Sequence, residues 1–238
     1  MQNGREGEPL TPIGSIRVLF EDADVLAVEK PEGLAAIPGG GAKGMPSLMR
    51  LLEDLRQNKF YIVHRLDKEV SGVILFAKNA PAHRHLNGQF AGRAVRKTYI
   101  ALVHGSMGEG IIDRPLREFG SGRVGVDSKR GKPCLTEFKA IRRFTDYTLV
   151  EVHPLTGRRH QIRAHFYSEG HPIVGDPLYG NREIQRRYPR LMLHARAIAF
   201  ELPSGRAVTI ESPLPESFHR ILEGLGAEDP GSASRRTG

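Results

Sequence analysis

Strand-like runs outnumber helical ones in this chain, and several follow one another with no helix between them. Residues 17–20 and 25–28 flank a turn-like acidic stretch. Residues 98–103, 136–141 and 147–152 read as strands, and residues 196–202 and 207–210 add two more. In one of these, Tyr147, Leu149 and Glu151 alternate with Thr148, Val150 and Val152, the period of two that sends successive side chains to opposite faces of a sheet. Antiparallel strands can be joined by a tight turn, whereas parallel ones need a long crossover. Adjoining strands therefore predict an α+β fold with a mixed, mostly antiparallel central sheet, not a doubly wound parallel one. Val73–Ala77 is apolar throughout and reads as a strand buried on both faces. Helices are expected to flank the sheet. Leu48, Leu51, Leu52 and Leu55 recur at helical spacing behind Ser47, a good N-cap. Residues 80–91 form a second helix, and residues 161–168 a short third ended by Gly170. Phe218, Ile221, Leu222 and Leu225 make a last one after Pro215.

Both ends differ from this pattern. Residues 1–13 are a polar, Gly-rich leader, and residues 225–238 read as a disordered tail, which leaves 14–224 as one catalytic-sized domain. Neither end has an apolar signal segment, and no apolar run approaches the ~20 residues that span a bilayer. A cytoplasmic protein without membrane contact is expected. Cys134 is the single cysteine, so a disulfide within the chain is impossible and a Cys-based zinc site nearly so. Lys+Arg number 35 against 27 Asp+Glu, a formal charge of +8. That balance suits a polyanionic partner, nucleic acid first, although an Arg-enriching genome would produce it too.

Two segments carry candidate chemistry. His64-Arg65-Leu66-Asp67-Lys68-Glu69-Val70-Ser71-Gly72 is a charged, turn-like loop running straight into the apolar strand. Loops at the ends of rigid strands hold reactive groups accessibly, yet Asp67 would serve equally well as an ordinary turn residue. Leu155-Thr156-Gly157-Arg158-Arg159-His160-Gln161-Ile162-Arg163-Ala164-His165 concentrates three Arg and two His. Arg159 and Arg163, four apart, could share one basic helical face, which in isolation is a solvated surface as readily as a ligand site. Arg182, Arg186, Arg187 and Arg190 add positive charge, and Arg93, Arg96 and Lys97 precede Tyr99. Cations with an interleaved aromatic suit phosphate contact and base stacking, and Tyr99 equally suits a strand core.

Taken together these segments resemble the RluA-type pseudouridine synthase family. HRLDKEVSG is similar to that family's catalytic motif. VLFED with VLAVEKP, then RKTY, PLTGRRHQIRAH with GHPIVGDPLYG, and LMLHA are similar to its other motifs, in the same order. The likeness spans residues 17–212. It implies a pseudouridine synthase fold with a basic active-site cleft, and an isomerase that acts on a uridine flipped out of structured RNA, ribosomal or transfer, without a cofactor or metal. It further implies that Asp67 is the essential carboxylate. Arg163 is its cationic partner through a charge-assisted contact to which bidentate geometry is open, and Tyr99 is the ring that stacks on the base. Arg65 would hold a phosphate or fill the vacated stack. Lys97 would contact phosphate or support the site, and Leu193 would line the base pocket. Arg158, Arg159 and His160 would bind RNA from the basic loop, while His64 takes no acid–base role. Val70 stands where the family usually has Thr, which removes a hydroxyl that could bond the loop backbone. The ribosomal-protein-like RNA-binding domain of many relatives is not expected here, nor is an obligatory protein partner. A monomer is expected.

Other readings fit less well. The kinase-like look of HRLD comes with no Asp-Phe-Gly segment. The Gly-rich residues 39–44 lead into Met45, where a phosphate-binding loop needs Lys-Ser or Lys-Thr. His83, His85, His160 and His165 lack accompanying carboxylate or Cys ligands and suit a basic RNA surface better than a metal. The remaining alternative is an RNA-binding or RNA-folding protein on the same scaffold with little catalysis, for which Val70 is the one hint.

Overall fold

The computed structural model describes residues 16–38, 46–120 and 122–227. The expected leader, the glycine-rich loop at 39–44 and the end of the chain past 227 lie outside these residues. In chain order the elements are β1 (Val18–Glu21), β2 (Val25–Lys30), α1 (Leu48–Arg56), β3 (Tyr61–Ile62), β4 (Ser71–Ala77) and α2 (Ala80–Ala91). Then come β5 (Arg96–His104), β6 (Glu109–Asp113), β7 (Leu116–Glu118), β8 (Val124–Val126), β9 (Leu135–Arg143) and β10 (Tyr147–Pro154). The last are α3 (Gln161–Ser168), α4 (Arg182–Gln185), β11 (Leu193–Glu201), β12 (Ala207–Glu211) and α5 (Glu216–Ala227).

One large sheet carries strands in the order β1-β2-β4-β11-β5-β10-β9-β6, with β3 joined to β4 and β12 to β11. Its pairings are antiparallel except where β4 runs parallel to β11, with Ser71 opposite His194 and Gly72 opposite Ala195. The mixed, mostly antiparallel sheet expected from adjoining strands is thus present. The reason β4 reads as an uninterrupted apolar run is also visible: all seven of its residues are buried, between β2 and β11 in the plane and with α2 packed on it. Side chains such as Leu75 and Phe76 each contribute ~1.5–3 kcal/mol by leaving water.

Helix ends follow their local chemistry. Ser47 caps α1 by accepting from Arg50 N, and Asn79 caps α2 by accepting from Ala82 N at 2.9 Å. A small separate core of Leu116, Val124, Cys134, Ala164 and Tyr179 sits where the β7–β8 hairpin meets α3. One boundary needs correction. Helix α5 continues through Ala227 and Leu225 packs on the main core, so residues 225–227 belong to a folded element and not to a tail.

Candidate active site

Three segments far apart in sequence meet at the parallel β4–β11 junction. The loop at 64–70 leads into β4, β11 begins at Leu193, and the loop at 155–160 leads into α3. The junction is tight. Gly72 has φ +119°, and a Cβ there would lie 2.2 Å from the carbonyl oxygen of Ala195, so the backbones can approach only with glycine. Neighbouring strand β5 supplies Lys97 and Tyr99, two residues apart and therefore on the same face.

These parts enclose a cavity of about 490 Å³. Its walls include Arg65, Asp67, Val70, Lys97, Tyr99, Arg158, His160, Arg163 and Leu193, together with Arg93 and Phe90 from the end of α2. The lining holds five cationic side chains and a single carboxylate, that of Asp67. A cavity so charged attracts anions and sets one negative group apart within them. Arg65, Arg93 and Arg158 are exposed, while Leu193 is buried.

Asp67 is 18% exposed and accepts a hydrogen bond from Arg163 Nη1 at 3.1 Å. Arg163 is wholly buried, and its other edge is engaged elsewhere: Nε and Nη2 donate to the two oxygens of Asp176, each at 2.7 Å. The bidentate partner is therefore Asp176 and not Asp67, whose contact is single. Burial alone would push the Arg163 guanidinium down, but the hydrogen bonds and charge of Asp176, and then Asp67, outweigh it and hold it up. Glu69 Oε2 also approaches Nη1, at 3.5 Å. The result is a fixed cation with one N–H edge aimed at Asp67.

The loop that carries Asp67 is held from below by a buried lysine. Lys30 Nζ donates to the carbonyls of Pro31, Leu34 and Lys68 at 2.7–3.0 Å, and Gly33 N donates to Lys68 O. Burial pushes Lys30 down to about 8. Val70 N closes the loop on Asp67 O at 3.1 Å. None of these bonds requires a hydroxyl at position 70, where the side chain is buried in the cavity wall. Below the junction, Arg190 Nη2 donates to Ser71 Oγ at 2.6 Å, and Ser71 Oγ meets His194 Nδ1 at 2.8 Å. His194 Nε2 faces the carbonyl of Ser212, so the ring carries its proton there and accepts from Ser71.

Other expected site residues divide. Tyr99 is half-buried and close enough to Asp67 to feel its charge. Burial first, then that charge, push its phenol up, so it stays protonated at neutral pH. Lys97 Nζ donates to Thr156 O at 3.0 Å, which makes it a tie between β5 and the basic loop. His160 is buried, with Nδ1 against the Tyr179 hydroxyl at 3.1 Å and Nε2 3.7 Å from Asp67. Arg159 is outside the cavity lining and pairs with Glu118. It does not share a face with Arg163, because His160 takes φ +50° and the helix begins only at Gln161. Residues 161–166 of α3 are all buried, so the basic stretch is not a solvated helix face. His64 Nε2 accepts from Leu75 N at 3.0 Å and its ring stacks on Phe90; burial, then Lys97, push it down to about 3. Among the other histidines singled out, the partly buried His83 and His85 face backbone carbonyls, and His165 is buried against Thr136. Arg190 also leaves the basic group, since it is buried and ion-paired with Glu32 at 3.0 Å. Arg182, Arg186 and Arg187 are exposed on and just after α4, outside the cavity lining. No group of three or more metal-ligating side chains occurs among the described residues, and none of their helices is long and apolar enough to cross a membrane.

Asp176, Lys30 and the Ser71–His194 pair are not legible as site residues in the sequence. Gly175-Asp176 and Glu29-Lys30 lie inside the family-like motifs, but nothing local marks which residue of a motif is buried.

Comparison with known proteins supplies the family. Residues 24–168 match the model of the RNA pseudouridylate synthase family. The chain is 39% identical over 223 residues to the ribosomal large subunit pseudouridine synthase C of Escherichia coli (strain K12), covering 87% of this chain and 69% of that one. It is 38% identical over 219 residues to a Bacillus subtilis (strain 168) protein named uncharacterized RNA pseudouridine synthase YlyB, covering 87% and 72%. Among solved structures it is similar to Human RNA Pseudouridylate Synthase Domain Containing 4, with a TM-score of 0.73 at 26% identity over 87% of this chain and 92% of that one. Human RNA Pseudouridylate Synthase Domain Containing 1 gives 0.72 at 26% identity over 97% and 100%. A match over most of the sheet, extending to both sides of the β4–β11 junction, means that this chain belongs to the RNA pseudouridine synthases of the RluA type and is an RNA-modifying isomerase.

Proposed function

We propose that the chain isomerises a uridine of structured RNA, with large-subunit ribosomal RNA the first candidate, on a nucleotide flipped into the cavity and through the carboxylate of Asp67. Ribosomal RNA is favoured over transfer RNA by the names of its relatives. The observation that carries the reading is the lone Asp67 carboxylate in a cationic cavity, fixed by an arginine whose other edge is clamped by Asp176.

The reaction breaks the bond from the sugar C1′ to N1 of uracil and forms one from C1′ to C5. N1 gains a proton and C5 loses one, so no oxidant and no external group is needed. An ionised carboxylate serves this by adding to the ring, by attacking C1′, or by taking a proton from the adjacent sugar carbon. Arg163 keeps the Asp67 side chain in one orientation and offsets its charge during each of these steps. Tyr99, kept protonated, presents a neutral ring on which the detached uracil stacks and stays within reach. Leu193 packs against the base. Extrusion of a base costs a few kcal/mol. Arg65 and Arg158, exposed at the cavity, offset it through phosphate contacts, and Arg65 can occupy the emptied stack. The alternative of an RNA-binding scaffold rested on Val70, and the loop closes without a hydroxyl there.

The test is tritium release from large-subunit ribosomal RNA labelled at C5 of uracil. Asp67→Ala is expected to lower single-turnover release by ~10³-fold or more while leaving RNA affinity within a few-fold. Equal release by both proteins would remove Asp67 from the chemistry.

A further inference from the structure

Helix α2 ends in a backbone arrangement that favours glycine and receives arginine instead. After the C-cap Gly92, at φ −76°, Arg93 adopts φ +59°. Arg93 N donates to Phe90 O at 3.3 Å, and Ala94 N donates to Gln89 O at 2.9 Å. This bond pair is the Schellman motif, whose left-handed residue is usually glycine because a Cβ there crowds the following carbonyl. The chain has a glycine one position too early, in the right-handed conformation. Only three non-glycine residues among those described have positive φ, and two of them, Arg93 and His160, line the cavity. Strained backbone of this kind persists where a side chain is wanted in one place.

The Arg93 side chain is exposed, and among the described residues no hydrogen bond or ion pair engages it. Arg159 and Arg190, by contrast, are held by Glu118 and Glu32. The last turn of α2 has no basic residue, so its carbonyl end would repel an approaching phosphate without Arg93. A guanidinium is permanently charged and matches a phosphate with two parallel N–H bonds.

We propose that Arg93 is a phosphate-binding residue, gripping the RNA backbone beside the nucleotide that enters the cavity. This rests on the reading of the cavity as an RNA site. Stability and binding should then move in opposite directions on the same substitution. Arg93→Gly relieves the cap and is expected to raise the thermal midpoint by about 2–4 °C. The same variant should bind a large-subunit ribosomal RNA transcript several-fold more weakly in filter binding. Between about 50 and 200 mM salt, its log–log slope should be shallower by about one than that of the wild type. Arg93→Lys should retain the wild-type slope. Wild-type affinity and slope in Arg93→Gly, or weaker binding with an unchanged slope, would overturn the assignment. Failure of the RNA reading itself looks different: the wild type would neither bind the transcript nor release tritium from it.

Discussion

Replacing Asp176 with asparagine should damage stability and turnover together while sparing RNA affinity. Asp176 and Arg163 are both wholly buried, joined by two bonds of 2.7 Å, and Asp176 Oδ1 also accepts from Leu178 N and Tyr179 N. Asparagine keeps the shape but offers one oxygen, and turns an amide N–H₂ toward either the guanidinium or those backbone donors. One charge-assisted bond is lost, at ~1.5–3 kcal/mol, and a buried donor is left unmet, at ~1–3 kcal/mol. The sum, ~2.5–6 kcal/mol, brackets the ~3–5 kcal/mol usual for breaking a buried ion pair. With its far edge released, Arg163 no longer fixes the orientation of Asp67, and misplacement on the order of 1 Å costs about 10² in rate. Urea unfolding gives the first number, single-turnover tritium release at saturating enzyme the second, and filter binding the control. An Asp176→Asn protein within 1 kcal/mol of the wild type and with wild-type turnover would show that Asp176 neither holds nor aims Arg163.

Three further outcomes follow from the buried groups. Burial pushes His194 down to about 4, so between its ordinary value near 6.5 and 4 the unfolded chain binds a proton that the folded protein refuses. That stability is whole above pH ~6.5 and declines by ~3 kcal/mol as the pH falls to 4. Urea midpoints at pH 7 and 4.5 should therefore lie closer together in His194→Gln than in the wild type; an equal gap refutes it. Lys30→Met leaves the carbonyls of Pro31 and Leu34 without a donor, while Lys68 O keeps Gly33 N, and should cost ~2–3 kcal/mol in urea unfolding; a loss below ~0.5 kcal/mol would refute it. Arg163→Ala should unfold more readily than Asp67→Ala, because it strands Asp176 in the core; thermal melts of equal midpoint would contradict this.

Much of this arrangement could be read from the chain because it obeys local rules. The uninterrupted apolar run of β4 announces a central strand, and Lys97 with Tyr99 share a face by strand alternation. The contact of Arg163 with Asp67 came from motif resemblance, as the two are far apart in sequence. What escaped reading depends on tertiary burial or on a single dihedral angle. Arg159 and Arg163 look like helix neighbours until His160 turns left-handed and excludes Arg159 from the helix. Arg190 looks like one more surface cation until Glu32, Ser71 and Ser217 surround it. Gly92 looks like the glycine that ends α2, and the left-handed residue is the next one. No pattern within either segment identifies Asp176 as the second owner of Arg163.

The lone parallel seam, where Gly72 lies against the backbone of Ala195, has a consequence for the order of events during synthesis. Its two edges are separated by more than half of the polypeptide. A nascent chain that has emerged only through the Asp67 loop holds the acid but lacks the guanidinium of Arg163, the phenol of Tyr99 and the strand β11 beside it. The cavity is therefore complete only once the final third of the protein docks, and a prematurely terminated product lacks the Arg163 and Leu193 side chains of its wall.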